Sequence, residues 1–382
     1  MELLYPNKKN QKEILDFTPR CHLSHSFENK NSLIQGNNFD ILAILLHNYN
    51  MSGKIDLIYI DPPFATNGTF TIGKERASTI SRSFKDDIAY TDTLIGEEFL
   101  EFLRERLIIA HELLSKKGSI YLHIDYKIGH YVKIIMDEIF GTDNFRNDIT
   151  RIKCNPKNFS RKAYGNIKDL ILFYSKTSKP IWNEPFVPYS KEDICRLYKK
   201  VDKNGQAYTT VPLHAPGETK NGVTGNKFKG IEPPKGRHWR TSPEELEKLD
   251  EQGLIEWSAN GVPRRKIFAK EQKGKRMQDI WDFKDYQYPV YPTEKNLDLL
   301  KHIIKTSSNE NSIVMDFFCG SGTTLLAAQE LGRKWIGIDQ SEQAITIAKN
   351  RLENMQDKLF TEGKFDFIYL EKNLKEKIAI NM

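Results

Sequence analysis

The chain has 382 residues, of which 39% are hydrophobic, enough to bury a core in one large domain or two ordinary ones. Its four cysteines are scattered, so the sequence indicates neither a disulfide framework nor a metal site, and it fits a reducing cytoplasm. No apolar run is long enough to span a bilayer, and the first ten residues lack an apolar signal region. We therefore expect neither secretion nor membrane insertion.

The positive charge is concentrated in the middle of the chain. The net charge is +6, but residues 151–285 alone hold 28 lysines and arginines against 17 acidic residues. A basic middle between near-neutral or acidic flanks is typical of an insert that binds a polyanion. A solvated lysine-rich surface is the alternative.

Apolar strands alternate with helical patterns at the start of the chain and again at its end. The predicted elements of the first part are a strand and turn at 33–36, a helix at 39–49, a strand at 54–64, a helix at 99–115, a strand at 119–125 and a helix at 127–140. Two β-rich runs follow at 147–153 and 169–175, and the alternation weakens beyond 177. This pattern predicts a largely parallel α/β sheet that is interrupted by an insertion.

The strand at 54–64 ends in Asp61, Pro62, Pro63 and Phe64. These residues place a carboxylate, two carbonyls stiffened by proline rings and an aromatic face at one point. The combination predicts a pocket for a flat ring that bears an amino group. For Phe64 alone, an ordinary core position at a strand end is the alternative.

A second strand near the end of the chain, residues 312–317, leads into a Gly-x-Gly turn and then a helical pattern at 323–331. Such a turn lets a nucleoside-bearing cofactor approach the backbone closely. Asp339 ends the next strand, about 20 residues beyond the turn, where an acid can accept hydrogen bonds from ribose hydroxyls. A dinucleotide is the rival cofactor, but the turn lacks the three-glycine spacing of that class.

The Asp-Pro-Pro-Phe motif, followed some 255 positions later by Asp-x-Phe-x-Gly-x-Gly, resembles the permuted β-group amino-methylating DNA methyltransferases. Enzymes of this kind occur as modification enzymes of restriction-modification systems. The resemblance implies a Rossmann-like, mostly parallel sheet with an antiparallel edge hairpin and an inserted DNA-recognition domain. The implied organisation is a catalytic half at 1–176, a target-recognition insert at 177–278 and a cofactor-binding half at 279–382.

The same resemblance implies an activity. S-adenosylmethionine would donate a methyl group directly, in line, to the N6 amino group of a flipped adenine in double-stranded DNA. Asp at the first motif position favours adenine, whereas cytosine N4 and an RNA amino group are the alternatives. A silent DNA-binding relative would be expected to have lost Asp61 or the glycines. A restriction subunit and a second copy of the chain are possible partners.

Site residues follow from the resemblance in two sets. The expected cofactor-binding residues are Gly36, Asn37, Asn38, Asp61, Thr293, Lys295, Asp316, Phe317, Phe318, Cys319, Gly320, Ser321, Gly322, Thr323, Asp339 and Gln340. The expected DNA-binding residues are Arg82, Lys85, Lys157, Phe159, Arg161, Lys162, Tyr164, Arg237, Arg240, Arg264, Arg265 and Lys266. For the second set, a solvent-exposed loop, a generic phosphate clamp or a packed turn around Trp239 are the alternatives.

Overall fold

The architecture comes from a computed structural model. It describes residues 2–24, 31–63, 69–72, 77–78, 87–91, 96–156, 160, 162–219, 221–286, 294–359 and 365–372. Seven residues named above therefore lie outside the described ranges: Phe64, Arg82, Lys85, Lys157, Phe159, Arg161 and Thr293.

The strands of the described ranges, in chain order, are β1 (Cys21–Leu23), β2 (Ser32–Gln35), β3 (Ile55–Ile60), β4 (Thr69–Ile72), β5 (Ala77–Ser78), β6 (Asp87–Thr91), β7 (Leu114–Ile124), β8 (Phe145–Ile152), β9 (Lys168–Ser175), β10 (Phe186–Val187), β11 (Lys200–Val201), β12 (Ala207–Pro212), β13 (His214–Pro216), β14 (Arg237–Trp239), β15 (Ile255–Trp257), β16 (Pro263–Phe268), β17 (Lys275–Arg276), β18 (Ile280–Asp282), β19 (Ile313–Asp316), β20 (Lys334–Asp339) and β21 (Asp366–Lys372). The helices are α1 (Gln11–Leu15), α2 (Asn38–His47), α3 (Gly96–Leu113), α4 (Gly129–Phe140), α5 (Lys191–Leu197), α6 (Pro243–Glu251), α7 (Leu297–Ser307), α8 (Thr323–Glu330) and α9 (Glu342–Leu359). Short 3-10 turns lie at Thr142–Asn144, Val223–Gly225 and Ala269–Glu271.

Contacts divide the chain into two compact units. Unit 1 comprises Met1–Glu184 and Gln278–Met382, and unit 2 comprises Pro185–Met277. The first boundary therefore falls eight residues beyond the expected 177. Backbone hydrogen bonds from Ile181 N–H to the Lys117 carbonyl and from Asn183 N–H to the Thr306 carbonyl hold residues 177–184 in unit 1.

Unit 1 is built on one sheet with the strand order β1-β21-β2-β20-β19-β3-β7-β9-β8-β18. Within the run from β21 to β7, the six strands are all parallel to one another, which confirms the predicted α/β sheet. Strands such as β3 are apolar along nearly their whole length because both sheet faces are covered. The core contains the inner sides of α2, α3 and α4 together with these strands. A separate small antiparallel sheet has the order β5-β4-β6.

Two details of the first half differ from the sequence prediction. The hairpin of β8 and β9 is antiparallel as expected, but β18 pairs in parallel outside β8, so the hairpin does not form the edge. Helix α3 ends at Leu113, and β7 begins at once, with Leu114 opposite Ile55. Gly118, which follows the predicted helix at 99–115, lies within β7, where an added Cβ would come 2.8 Å from the Ile55 carbonyl oxygen. A helix-stop pattern and a close strand approach both favour glycine.

Unit 2 is a set of short antiparallel strands around a small core. A four-stranded sheet has the order β11-β12-β16-β15, and β13 pairs with β14. The core consists of Leu213, Phe228, Trp239, Leu246 and Ile255, so Trp239 serves packing. Strands of two to six residues give too little periodicity for a sequence pattern to predict them.

None of the helices in the described ranges is long and apolar enough to cross a membrane. Within the same ranges, no three His, Cys, Asp or Glu side chains gather as metal ligands do.

Candidate active site

Three carboxylates lie at the carboxyl ends of neighbouring parallel strands. Asp316 ends β19 and Asp339 ends β20, while Asp61 follows β3 directly. Strand β19 pairs with β20 on one side and with β3 on the other, so the three acids lie along one edge of the sheet. Ligands of open α/β sheets bind at this edge.

The two oxygens of Asp61 are in different environments. Oδ2 lies 2.8 Å from Nζ of Lys295, and both side chains are largely buried, at 15% and 11% exposure. Oδ1 is buried and, among the residues that the structure describes, has no hydrogen-bond partner. A buried oxygen without a partner costs free energy unless a ligand supplies a donor. The site thus presents an acceptor whose orientation is already fixed.

The residues after Asp61 restrict the backbone. Pro62 is buried and Pro63 is half-buried. A proline at position 62 removes a backbone donor and disfavours the helical region for Asp61. The Pro62 carbonyl therefore belongs to a stiff segment beside the carboxylate.

The Gly-rich turn between β19 and α8 depends on two left-handed residues, Gly320 at φ +50° and Gly322 at φ +78°. A Cβ at position 322 would also come 2.9 Å from Cβ of Ala348, so only glycine fits without strain. Asp339 holds the turn from the next strand: Oδ2 accepts from Gly320 N–H and Oδ1 from Ser341 N–H, both at 2.9 Å. The following Gln340 is exposed.

Asp316 is buried below the turn. Its Oδ1 accepts from Phe318 N–H at 3.0 Å, and its Oδ2 accepts from the Thr324 hydroxyl at 2.5 Å. Burial, and then the negative charges of Asp61 and Asp339, raise the pKa of Asp316 to about 7 despite these hydrogen bonds. A cationic group brought beside Asp316 would favour its ionised form, which is the chemistry an ammonium ligand requires.

Other residues of the turn are mostly buried. Phe317, Cys319, Ser321 and Thr323 have exposures of 6% or less. Burial, and then the charges of the nearby acids, raise the pKa of the Cys319 thiol, so it is a packing group in neutral form. Phe318 is half-buried, with its ring 6.0 Å from that of Phe102.

Gly36, Asn37 and Asn38 form the junction of β2 and α2. A Cβ at position 36 would come 2.6 Å from Cβ of Leu370. The side-chain Oδ1 of Asn37 caps α2 by accepting from Phe39 N–H. Asn38 donates to the Phe317 carbonyl at 2.7 Å, which ties this junction to the Gly-rich turn. The structure thus explains these residues by packing, and cofactor contact stays a prediction for them.

Arg351 on α9 links the turn to the segment before α7. It donates to the Ser321 carbonyl at 3.1 Å and lies 2.7 Å from Oε1 of Glu294. Glu294 precedes Lys295, so this contact holds the lysine that faces Asp61. Sequence reasoning missed Arg351 because a lone arginine late in an amphipathic helix carries no motif.

A second missed group lies on the other side of Asp61. His123 on β7 is fully buried, and its Nδ1 lies 3.9 Å from Oδ1 of Asp61. Asp169 at the start of β9 lies 3.2 Å from Nε2 of the same ring. The signal available in the sequence was a His-x-Asp pattern at the end of the strand next to the one that carries Asp61.

The described DNA-binding candidates fall in two places. Lys162 and Tyr164 are exposed in the connection between β8 and β9, and Tyr164 is 96% exposed. The others lie in unit 2, where Arg237, Arg240 and Arg265 are exposed and Arg264 and Lys266 are half-buried.

Unit 2 concentrates cations around one histidine. Arg237 lies 3.2 Å from Nδ1 of His214. Burial, and then the charges of Arg237, Arg240 and Arg264, lower the pKa of His214. Arg240 and Arg265 also line a cavity of about 400 Å³ with an apolar floor.

The sequence profile of the N6/N4 DNA methylases matches residues 55–350. The chain belongs to this family. It is therefore a DNA methyltransferase, and its methyl donor is S-adenosylmethionine.

Named relatives agree with this assignment to the DNA methylases. The chain is 41% identical to the type II methyltransferase M.EcaI of Enterobacter cloacae, over 89% of this chain and 75% of that protein. It is 28% identical to the Mod subunit of the type III enzyme StyLTI of Salmonella typhimurium, over 92% of this chain but only 59% of that subunit. The crystal structure of the M1.HpyAVI-SAM complex shares 18% identity with a TM-score of 0.45, over 84% of this chain and 99% of that one.

Replacing Lys295 with methionine should slow single-turnover methyl transfer by about 100-fold, the scale of losing one oriented group at a reacting centre. The reason is that, in the variant, Oδ2 of Asp61 loses its ion pair with the ammonium group of Lys295. The measurement is rapid-quench transfer of a tritiated methyl group to DNA. Lys301→Met on α7 is the matched control, since it breaks a more exposed pair with Glu330 of α8. A wild-type rate in Lys295→Met would contradict this role.

Replacing Arg351 with alanine should weaken binding of S-adenosylhomocysteine by about tenfold, the equivalent of one hydrogen bond to a charged group. The turn and Glu294 would lose their common partner. Isothermal titration calorimetry measures the affinity. Lys349→Ala on the same helix removes a cation that faces Glu353 and lies over the Phe367 ring, and it serves as the control. Equal affinities of the two variants would refute the linkage.

Proposed function

We propose that this DNA methyltransferase methylates the N6 amino group of adenine within a specific sequence of double-stranded DNA. The observation that carries the proposal is the asymmetry of Asp61: Oδ2 pairs with Lys295, while the buried Oδ1 has no hydrogen-bond partner in the described residues. An exocyclic amino group offers the donor that Oδ1 lacks. Asp at the first position of the Asp-Pro-Pro-Phe motif favours adenine over cytosine.

The chemistry required of the protein is to restore electron density to a poor nucleophile, because the amino lone pair of adenine is delocalised into the ring. In this proposal, Oδ1 of Asp61 and the Pro62 carbonyl each accept one amino hydrogen. The nitrogen then becomes more tetrahedral, with its lone pair directed out of the ring plane. Lys295 keeps Asp61 oriented during this step.

The acceptor must leave the duplex to reach this site. Asp61 and Pro62 are largely buried, so a base stacked in a helix could not contact them. Flipping a base costs a few kcal/mol of unstacking and unpairing. Stacking on Phe64, which lies outside the described residues, would offset part of that cost.

S-adenosylmethionine, when bound, supplies an electrophilic methyl group on a sulfonium sulfur. Asp316 would hold its ammonium group, backbone groups of the turn from Cys319 to Ser321 its carboxylate, and Asp339 its ribose hydroxyls. Thr293 and Lys295 would lie along the methionine part, and Gly36 and Asn37 beside the adenine.

The biological setting is part of the same proposal. The relatives are named as a type II methyltransferase and a type III Mod subunit. We infer that this chain is the modification component of a restriction-modification system in the cytoplasm, and that any cleavage belongs to another polypeptide. Solitary action is the other form in which such an enzyme would work.

Unit 2 supplies the proposed target-recognition surface. Its exposed arginines, Arg237, Arg240 and Arg265, are the groups that bind phosphates or the edges of guanine. A polyanion bound at these arginines would relieve their mutual repulsion. Lys162 and Tyr164 of unit 1 are the second proposed contact.

Replacing Asp61 with asparagine should lower methyl transfer to DNA by at least about 1,000-fold, because an amide is a weaker acceptor and loses the pair with Lys295. Nuclease digestion and mass spectrometry of the product identify the base. Asp56→Asn at the opposite end of β3, where the carboxylate accepts a hydrogen bond from Ser115, is the control.

Three outcomes of that experiment are informative. N6-methyladenine that disappears in Asp61→Asn supports the proposal. N4-methylcytosine would keep the assignment as a DNA amino-methyltransferase but refute adenine as the substrate. Methylation of RNA in place of DNA would make the enzyme an RNA amino-methyltransferase.

Replacing Arg265 with alanine should weaken binding to all DNA sequences and reduce the slope of log K against log salt by about 0.9, the effect of losing one phosphate contact. Fluorescence anisotropy over a salt series measures the slope. Arg196→Ala, which removes a cation already paired with Asp193 on α5 of the same unit, is the control. An unchanged slope with relaxed preference at one base pair would instead assign Arg265 to base reading.

A further inference from the structure

His123 is placed beside Asp61 by the register of the sheet. Ile60 on β3 pairs with Leu122 on β7, so the next residues of the two parallel strands, Asp61 and His123, are neighbours. The imidazole is fully buried, and Nδ1 lies 3.9 Å from the Oδ1 atom that has no hydrogen-bond partner in the described residues. Catalytic contacts of this length often tighten when the substrate binds.

The contacts of the ring decide which nitrogen carries hydrogen. Nε2 lies 3.2 Å from Oδ2 of Asp169, and an ionised carboxylate only accepts, so Nε2 is the donor. Nδ1 of the neutral ring is then an acceptor, and it receives the hydroxyl of Tyr59 at 2.9 Å. The lone pair on Nδ1 therefore faces the Tyr59 hydroxyl, which must turn away before Nδ1 can take a proton from Oδ1 of Asp61, 3.9 Å away.

Asp169 stays ionised although it is buried. Burial alone would raise its pKa, but the hydrogen bond with His123 and the charges around it hold the pKa well below its usual range. Lys153 Nζ contacts Oδ1 at 2.6 Å, and Arg151 lies 3.7 Å from Oδ2. Burial, and then the charge of Lys295, lower the pKa of His123, so the ring is neutral at rest.

We propose that His123 acts through Asp61 as the acceptor of the proton that the substrate amino group releases, with Asp169 fixing the ring and stabilising its charged form. This inference rests on the proposed amino methylation. It answers a question that Asp61 leaves open, because a carboxylate paired with a lysine is a poor final base.

As the amino nitrogen forms its bond to the methyl carbon, the carbon–sulfur bond breaks and the electron pair of that bond stays on sulfur. In the same step the nitrogen gives one proton to Oδ1 of Asp61 and so remains neutral. That proton passes to Nδ1 of His123, and the Tyr59 hydroxyl rotates from donor to acceptor. Asp169 faces the resulting imidazolium through Nε2–H.

His123→Gln tests the role, because a glutamine amide can still donate toward Asp169 but has no basic lone pair at the Nδ1 position. We expect single-turnover methyl transfer to fall by about 100-fold, the lower range for losing a general base. Affinities for DNA and for S-adenosylhomocysteine should stay at wild-type values. His302→Gln, a partly buried histidine of α7 that packs on Trp281, is the control. A wild-type rate in His123→Gln would overturn the proposal.

A second measurement does not depend on a variant that folds. Nitrogen-15 NMR of histidine-labelled wild-type protein with S-adenosylhomocysteine reports the tautomer of His123. A neutral ring with hydrogen on Nε2 at pH 7 supports the proposal, and either hydrogen on Nδ1 or an imidazolium overturns it. Because this spectrum needs no methyl transfer, failure of the proposed function would be visible separately, as wild-type protein that forms no N6-methyladenine.

Discussion

The parallel pairing of β3 with β19 is the constraint on which the site depends. Leu57 pairs with Val314 and Ile58 with Met315, so two strands more than 250 positions apart become neighbours at the centre of the sheet. The pairing aligns their carboxyl ends and thereby brings Asp61 next to Asp316. Neither half has a complete edge without the other, since the catalytic carboxylate comes from one and the Gly-rich turn from the other. Such non-local pairing also makes the loop-closure cost of folding high, which favours late formation of the site.

The acids along this edge differ in their partners. Asp61 has Lys295 on one oxygen, and Asp169 has Lys153 and Arg151, whereas Asp316 has no basic side chain against it in the described residues. Burial, and then the charges of Asp61 and Asp339, raise the pKa of Asp316 to about 7, whereas the hydrogen bond with His123 and the nearby cations lower that of Asp169 despite its burial. The uncompensated acid lies at the Gly-rich turn, where a ligand with an ammonium group would complete the set. The resting protein thus tolerates a costly carboxyl group there because ligand binding relieves the cost.

The sequence was sufficient to predict the sheet and the two motifs at the strand ends. Long apolar strands and an Asp-Pro-Pro-Phe motif can each be recognised from a short stretch of sequence. It was insufficient where a role depends on register across strands. His123 and Asp169 lie 46 positions apart and meet only because β7 and β9 run antiparallel. The outer strand β18 was missed for a similar reason, since three residues that pair with β8 have no periodicity of their own. Lys295 was assigned to the cofactor by resemblance, yet its described partner is Asp61, a contact that spacing along the chain cannot predict.

Unit 2 is inserted at a point where its folding disturbs the strand pairing of the unit 1 sheet little. Phe186 pairs with Arg276, and Met277 N–H donates to the Pro185 carbonyl at 3.1 Å, so the chain enters and leaves the unit through a paired two-strand stem. Because the stem closes the insert locally, the entropy cost of loop closure is met within unit 2 by its own hydrogen bonds and core. The chain leaves unit 1 after β9 and returns at β18, an outer strand of the sheet, so the central order from β20 to β7 is undisturbed. An insert attached in this way can change length and surface charge without altering the strand ends that hold Asp61 and His123. Under the proposed function, differences in target sequence would therefore arise in unit 2, while the chemistry stays with the strand ends of unit 1.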